Sequence, residues 1–184
     1  MKYLLLPFVL FIAAAPAAAA QHWKVDFAKS KLGFMVKWSN EPFVATFKSW
    51  KADIDFDPAD LAHSKAVVTI DMSSEDSGDD ENDSGLKSIQ GFAVSKFPTA
   101  KFETTSITHG QGNAYTAQGT LTLHGVSKAI TLPFNLNIAG NTAHMVGKAV
   151  AMRPDFGLAP GEFAGETPIA HAVTITIDLT ATKS

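Results

Sequence analysis

No cysteine occurs anywhere in the chain, which excludes a disulfide framework, thiol chemistry and a thiolate metal site. The local patterns that carry much enzymatic chemistry are missing too. There is no Gly-rich phosphate loop of recognised spacing, no G-x-S-x-G nucleophile elbow and no H-E-x-x-H metal helix. The histidines, at 22, 63, 109, 124, 144 and 171, are dispersed, with no spacing that forecasts convergence. His171 alone shares a series with Val173, on the last apolar segment. Positive charge is in deficit: the net charge is −3, and no basic stretch is interleaved with aromatics, which excludes a nucleic-acid surface of the usual kind. The acidic run 76–83 lacks the spacing and central glycine of a calcium loop and reads as a solvated loop.

Beyond the first 20 residues no apolar run is long enough to cross a bilayer. The leader is Lys2 followed by YLLLPFVLFIAAAPAAAA, ending in the small residues Ala18, Ala19 and Ala20. That pattern reads as a secretory signal peptide over residues 1–20. The competing reading is an uncleaved anchor helix, weakened by Pro7 and Pro16. Cleavage leaves residues 21–184 as a single domain of net charge −4, placed in the periplasm or secreted.

What the chain has in abundance is period-two alternation. Tyr115, Ala117, Gly119, Leu121 and Leu123 alternate with polar or small neighbours, and after a turn at 124–128 so do Ile130, Leu132, Phe134, Leu136 and Ile138. Such alternation places one series on each face of a sheet. Eight segments follow this reading, at 31–38, 43–56, 66–72, 100–108, 114–123, 129–138, 143–152 and 170–181. Short links favour an up-and-down antiparallel order. Joining the first and last strands removes two exposed edges, so the expected fold is all-β, an eight-stranded antiparallel barrel. A sandwich satisfies the same alternation.

Two long connections break the rhythm. Residues 73–99 begin acidic and then carry Leu86, Ile89, Phe92 and Ala93 at helical spacing, which predicts a short helix over 84–94 between strands 3 and 4. Ser84 is its candidate cap, and Pro98 blocks continuation. Residues 153–168 are rich in glycine and proline around Phe156, Leu158 and Phe163. These side chains are expected against the barrel or its contents, where the two connections would form a gate or simply a cover. Asp155, beside Arg153, is expected to organise this loop.

The inward series is bulky and almost uncharged: Phe34, Val36, Trp38, Phe47, Trp50, Phe102, Leu121, Phe134, Leu136 and Met145. A bulge near 48–49 would bring Phe47 and Trp50 to the same side. With Phe92, Phe156 and Phe163 at the connections, these residues are the candidate ligand-binding set. They suit a hydrocarbon guest, for which each buried methylene is worth roughly 0.8 kcal/mol. Small residues in the same series, Ala117, Gly119, Gly147 and Ala149, would leave room. Two alternatives stand beside a binding cavity. One is a packed structural or interaction barrel with no ligand; the other is an enzyme acting on an isoprenoid-like substrate through His171 and Asp155, for which no nucleophile–base arrangement is visible.

Five blocks, in order VDFAKSKLGFMVKW, FKSWKADIDFDPADL, IDMSSEDSGDDENDSGLKSIQGFAVSKFPTAKFETTSI, GTLTLHGVSKAITLPF and RPDFG, resemble the YceI-like family of exported polyisoprenoid-binding proteins. The resemblance runs from about Trp23 to Ala181. It implies a lipocalin-like barrel, no catalytic residues, no metal, and a bound polyisoprenoid or ubiquinone-like lipid as the only cofactor-like group. The continuation GLAPGEFAG resembles a branch found beside membrane b-type cytochromes. That branch implies a membrane-associated electron-transport or lipid-pathway partner for a monomer or homodimer. The chain departs from the family pattern at Trp50, a bulky residue expected to narrow the tunnel.

Overall fold

Backbone hydrogen bonding decides this architecture, because the first and last strands find a neighbour on both sides only if the sheet closes. The computed structural model describes residues 20–184; the expected signal segment, apart from Ala20, lies outside them. The strands are β1 (His22–Val25), β2 (Lys31–Trp38), β3 (Glu41–Phe47), β4 (Trp50–Asp55), β5 (Lys65–Asp71), β6 (Glu75–Asp76), β7 (Thr99–His109), β8 (Ala114–Leu123), β9 (Val126–Ala139), β10 (Thr142–Met152) and β11 (Ile169–Lys183). Pairing runs β1-β4-β5-β7-β8-β9-β10-β11 and returns from β11 to β1, a closed antiparallel ring of eight. β2, β3 and β6 continue the staves begun by β1, β4 and β5: β2 extends along β11 beyond β1, β3 pairs with β2, and β6 with β3. The fold is thus the eight-stranded antiparallel barrel, and the sandwich is excluded.

Three staves are broken. A 3-10 turn at Phe27–Lys29, capped by Asp26, divides the first; residues 48–49 divide the second; a 3-10 turn at Met72–Ser74, capped by Asp71, divides the third. The latter two breaks are stitched together: Lys48 N donates to Ser74 O (3.0 Å), Ser49 N to Ser74 Oγ (3.0 Å) and Asp71 N to Ser49 O (3.0 Å). The interruption at 48–49 lets both Phe47 and Trp50 pack into the interior, as the expected bulge required. The short pieces β1 and β6 are not among the segments read from the sequence. Four and two residues are too few for alternation to register.

Tight hairpins set the register. Ser39 and Asn40 both have positive φ (50° and 72°), as do His124 and Gly125 (53° and 76°), the geometry of a two-residue type I′ turn. The turns expected at 39–42 and 124–128 are accordingly shorter, and β3 and β9 begin earlier, at Glu41 and Val126. The helix, α1 (Asp80–Lys87), also starts earlier than its apolar stripe implied. Asp79 caps it, its carboxylate accepting from Glu81 N (3.0 Å) and Asn82 N (2.9 Å), with Asp80, Glu81 and Asp83 in the first turn where the helix dipole favours them. Ser84 is not the cap but lies inside the helix, donating to Asp80 O (2.7 Å). The acidic run is therefore a strand end, a cap and a helical turn instead of a solvated loop. Of the stripe, only Leu86 is helical, and Ile89 is exposed (70%).

Gly119 was expected to leave room for a guest. It faces the Phe102 ring across β7–β8 instead: an added Cβ would overlap that ring and stand 2.6 Å from Glu103 O. Gly119→Ala should destabilise the barrel by about 1–3 kcal/mol, since the rigid backbone and ring cannot both yield. Urea denaturation measures it; a cost near zero would mean that Phe102 can swing away.

Candidate functional site

Alternating side chains that fill a smaller barrel leave two adjoining hollows in this one. The deeper, about 180 Å³, is lined by Trp23, Trp50, Phe56, Phe102, Phe134, Leu136, Met145 and further aliphatic residues. The other, about 380 Å³, lies toward α1 and residues 153–168, against Phe34, Val36, Trp38, Phe47, Phe92, Phe156 and Phe163. Leu32, Ile70, Leu121 and Ile175 line both and form the waist between them. The outer falls in the lower part of the usual range for small-molecule sites, roughly 300–1,000 Å³, and the inner falls below it. Each residue of the candidate ligand-binding set lines one hollow or the other, whereas Gly119 and Gly147, expected to leave room, line neither. Missed were Trp23, on the unread β1, and Ile54 and Phe56, whose face along the second stave changes at the break.

The outer hollow reaches the surface. Trp38 is 46% exposed on its rim, with its ring 6.3 Å from that of Phe163, and the exposed side chains of Glu81, Asn82 and Gln90 border it. Phe156 is fixed from within: it is 2% exposed, and its carbonyl is 3.0 Å from His124 Nδ1. Phe34, Phe47 and Phe92 meet ring to ring at 5.8–6.3 Å, with Phe92 edge-on to Phe34.

Arg153 builds the rim. The expectation that Asp155 organises this loop is reversed, because Asp155 is exposed while Arg153 is only 4% exposed. The Arg153 guanidinium donates to Ala170 O (3.1 Å), Leu158 O (3.3 Å), Ala159 O (3.1 Å), Ile169 O (2.9 Å) and Gly165 O. Five N–H groups meet five carbonyls, which uses the whole donor capacity of the side chain. Burial lowers its pKa. No side-chain pattern could signal this, since the partners are main-chain atoms. His171 does not join the hollow as a titratable pair with Asp155; its Nε2 lies 2.9 Å from Ala164 O in the same loop.

At the far end of the barrel, His22, Asp53 and Asp55 bring ligand-type atoms within 4.8 Å of one another. His22 Nδ1 is 2.9 Å from Asp55 Oδ1, and Lys65 Nζ is 3.4 Å from the other Asp55 oxygen. The cluster is an exposed polar network in which Lys65 pairs with Asp55, and Asp53 lies 3.6 Å from His22 Nδ1.

Beneath α1 sits Glu75, its side chain wholly buried and both carboxyl oxygens without a hydrogen bond. Burial and the neighbouring Asp83 carboxylate push its pKa up to about 7, against the opposing pull of Lys87, whose Nζ is 3.9 Å away. From the ordinary value of 4.5 up to about 7 the unfolded chain releases this proton before the folded one, so the Glu75 contribution to stability falls through that window and then levels off. The fall is on the order of 2–3 kcal/mol. Glu75→Gln should abolish it: the stability difference between wild type and variant, from urea denaturation at a series of pH values, should change across this window and stay flat above it. A difference independent of pH would mean that Glu75 titrates normally.

The profile of the YceI-like domain matches residues 23–181. Among sequence relatives, a UPF0312 protein of Serratia proteamaculans is 36% identical over 121 residues, 66% of this chain and 59% of that protein, and protein YceI of Salmonella arizonae is 35% identical over 116 residues, 63% and 57%. The match thus spans less than two thirds of these relatives. Among solved structures, BcnA of Burkholderia cenocepacia superposes with a TM-score of 0.83 at 33% identity, covering 86% of this chain and 100% of that one. A domain of Saccharophagus degradans named as polyisoprenoid binding superposes at 0.69 with 16% identity, over 89% and 99%, a likeness of fold alone. With its profile matched across nearly all of the described residues, the chain belongs to the YceI-like family.

Proposed function

We propose that the protein binds an isoprenoid-like lipid, a polyprenyl chain or quinone tail, and carries or stores it out of water. The observation that carries this reading is the pair of adjoining apolar hollows, which share Leu32, Ile70, Leu121 and Ile175 as lining, the outer one bordered by Trp38 and Phe163. Two adjoining apolar hollows suit a flexible chain that can thread both better than a compact ring system. Each methylene that leaves water contributes roughly 0.8 kcal/mol, so affinity rises with tail length until the inner hollow is full. The polyisoprenoid-binding name of the distant Saccharophagus relative supports the choice of tail chemistry. In this reading the leader exports the protein to the periplasm or beyond, as a monomer or homodimer. Its lipid is then exchanged with a membrane-associated electron-transport or lipid-pathway partner. The tail enters past Trp38 and Phe163, and the candidate lining residues hold it.

Native mass spectrometry of the purified protein, followed by organic extraction and titration with polyprenyl ligands, tests the proposal. Stoichiometric uptake is expected. No extracted lipid and no uptake of any added tail would overturn it. Leu121→Trp places a larger side chain in the waist and should weaken uptake of long tails by about tenfold or more, the loss of a few methylenes' burial, while circular dichroism shows the barrel retained. Undiminished uptake would place the tail outside the waist.

A further inference from the structure

We infer that the outer hollow selects lipids with an uncharged, hydrogen-bonding headgroup, an alcohol or a carbonyl, over prenyl phosphates of the same tail length. The inference rests on the lipid-binding reading and adds to it the class of headgroup. A phosphate that leaves water needs charge-assisted donors to replace its hydration, and unpaired it is expelled. The cations and amide donors around this rim are already committed. All five N–H groups of Arg153 are held by main-chain carbonyls, so none is left to turn toward a guest. Lys87 is the cation closest to the buried Glu75 carboxyl, at 3.9 Å. His171 is spent on Ala164 O (2.9 Å) and stands 3.7 Å from Glu166. The amides that open α1, at Glu81 and Asn82, are taken by the helix's own cap, Asp79.

The free groups on the rim are of the other kind. The Glu81 carboxylate borders the hollow with no cationic partner among the described residues. The side-chain amides of Asn82 and Gln90 also border it and make no hydrogen bond to protein among the described residues. Each amide offers a donor and an acceptor without net charge, which is what an alcohol or carbonyl needs. The rim thus repels an anion while offering neutral partners.

A polyprenol and the polyprenyl phosphate of identical tail are to be titrated against the protein separately and in competition. The measurement is made at about pH 8, where a phosphate monoester is fully ionised. The alcohol is expected to bind tighter by about tenfold or more, a gap worth one decade in the dissociation constant. Glu81→Lys should narrow the ratio, Glu81→Gln should narrow it less, and added salt should erase most of the difference between the two variants. Equal or tighter binding of the phosphate by the wild type overturns the headgroup inference and leaves lipid binding intact. Binding of neither ligand overturns the lipid-binding reading, and this inference with it.

Discussion

Closure of the hydrogen-bonded ring is the constraint on which everything else depends. Trp23, Lys24 and Val25 pair with the end of β11 and, with β4 on the other side, leave no free edge at that end of the barrel. Once the ring is closed, alternation is no longer a local matter: each residue faces either the interior or water, and its neighbours are fixed by register. Val36, Phe34 and Leu32 of β2 are set opposite Val173, Ile175 and Ile177 of β11, which makes one continuous apolar wall. The breaks in the first three staves preserve this arrangement by satisfying the interrupted main chain through one another and through the caps at Asp26 and Asp71.

The interior is hollow because its aromatic rings pack against the wall and one another more than across the centre. Phe102 lies over Gly119, Tyr115 stacks on Phe134 at 5.5 Å, and Trp50 meets Phe27 edge-on at 4.8 Å. Small residues on the wall thereby accommodate neighbouring rings, and the remaining space collects along the axis. The apolar walls and the polar rim then divide the work. Under the proposed function the walls would set what length of chain can be sheltered, and the rim what can stand at its end.

Most of the barrel was legible in the sequence because strands as long as β8 to β11 repeat their period often enough to be unmistakable, and the lining followed directly from their alternation. What was not legible depended on non-local or main-chain partners. β1 and β6 exist through pairing, not through pattern. The start of α1 was set by the two amides Asp79 could accept, which outweighed the apolar spacing from Leu86 onward. Glu75, next to the acidic run, carried no mark of burial in the sequence, although its side chain is fully buried. Arg153 was invisible as a structural centre for the same reason: carbonyl groups leave no trace in the order of side chains.

Arg153 has a mechanical consequence. Its contacts pin the loop at both ends and at Gly165, so Leu158, Ala159, Gly165, Ile169 and Ala170 cannot lift away without unseating a guanidinium that has nowhere else to spend its donors. The segment behaves as a fixed jamb. Any widening of the doorway falls to the opposite post, the two-turn helix α1 and the residues after it, which are joined to the fixed side through a bond from Ala159 N to Gln90 O (3.2 Å).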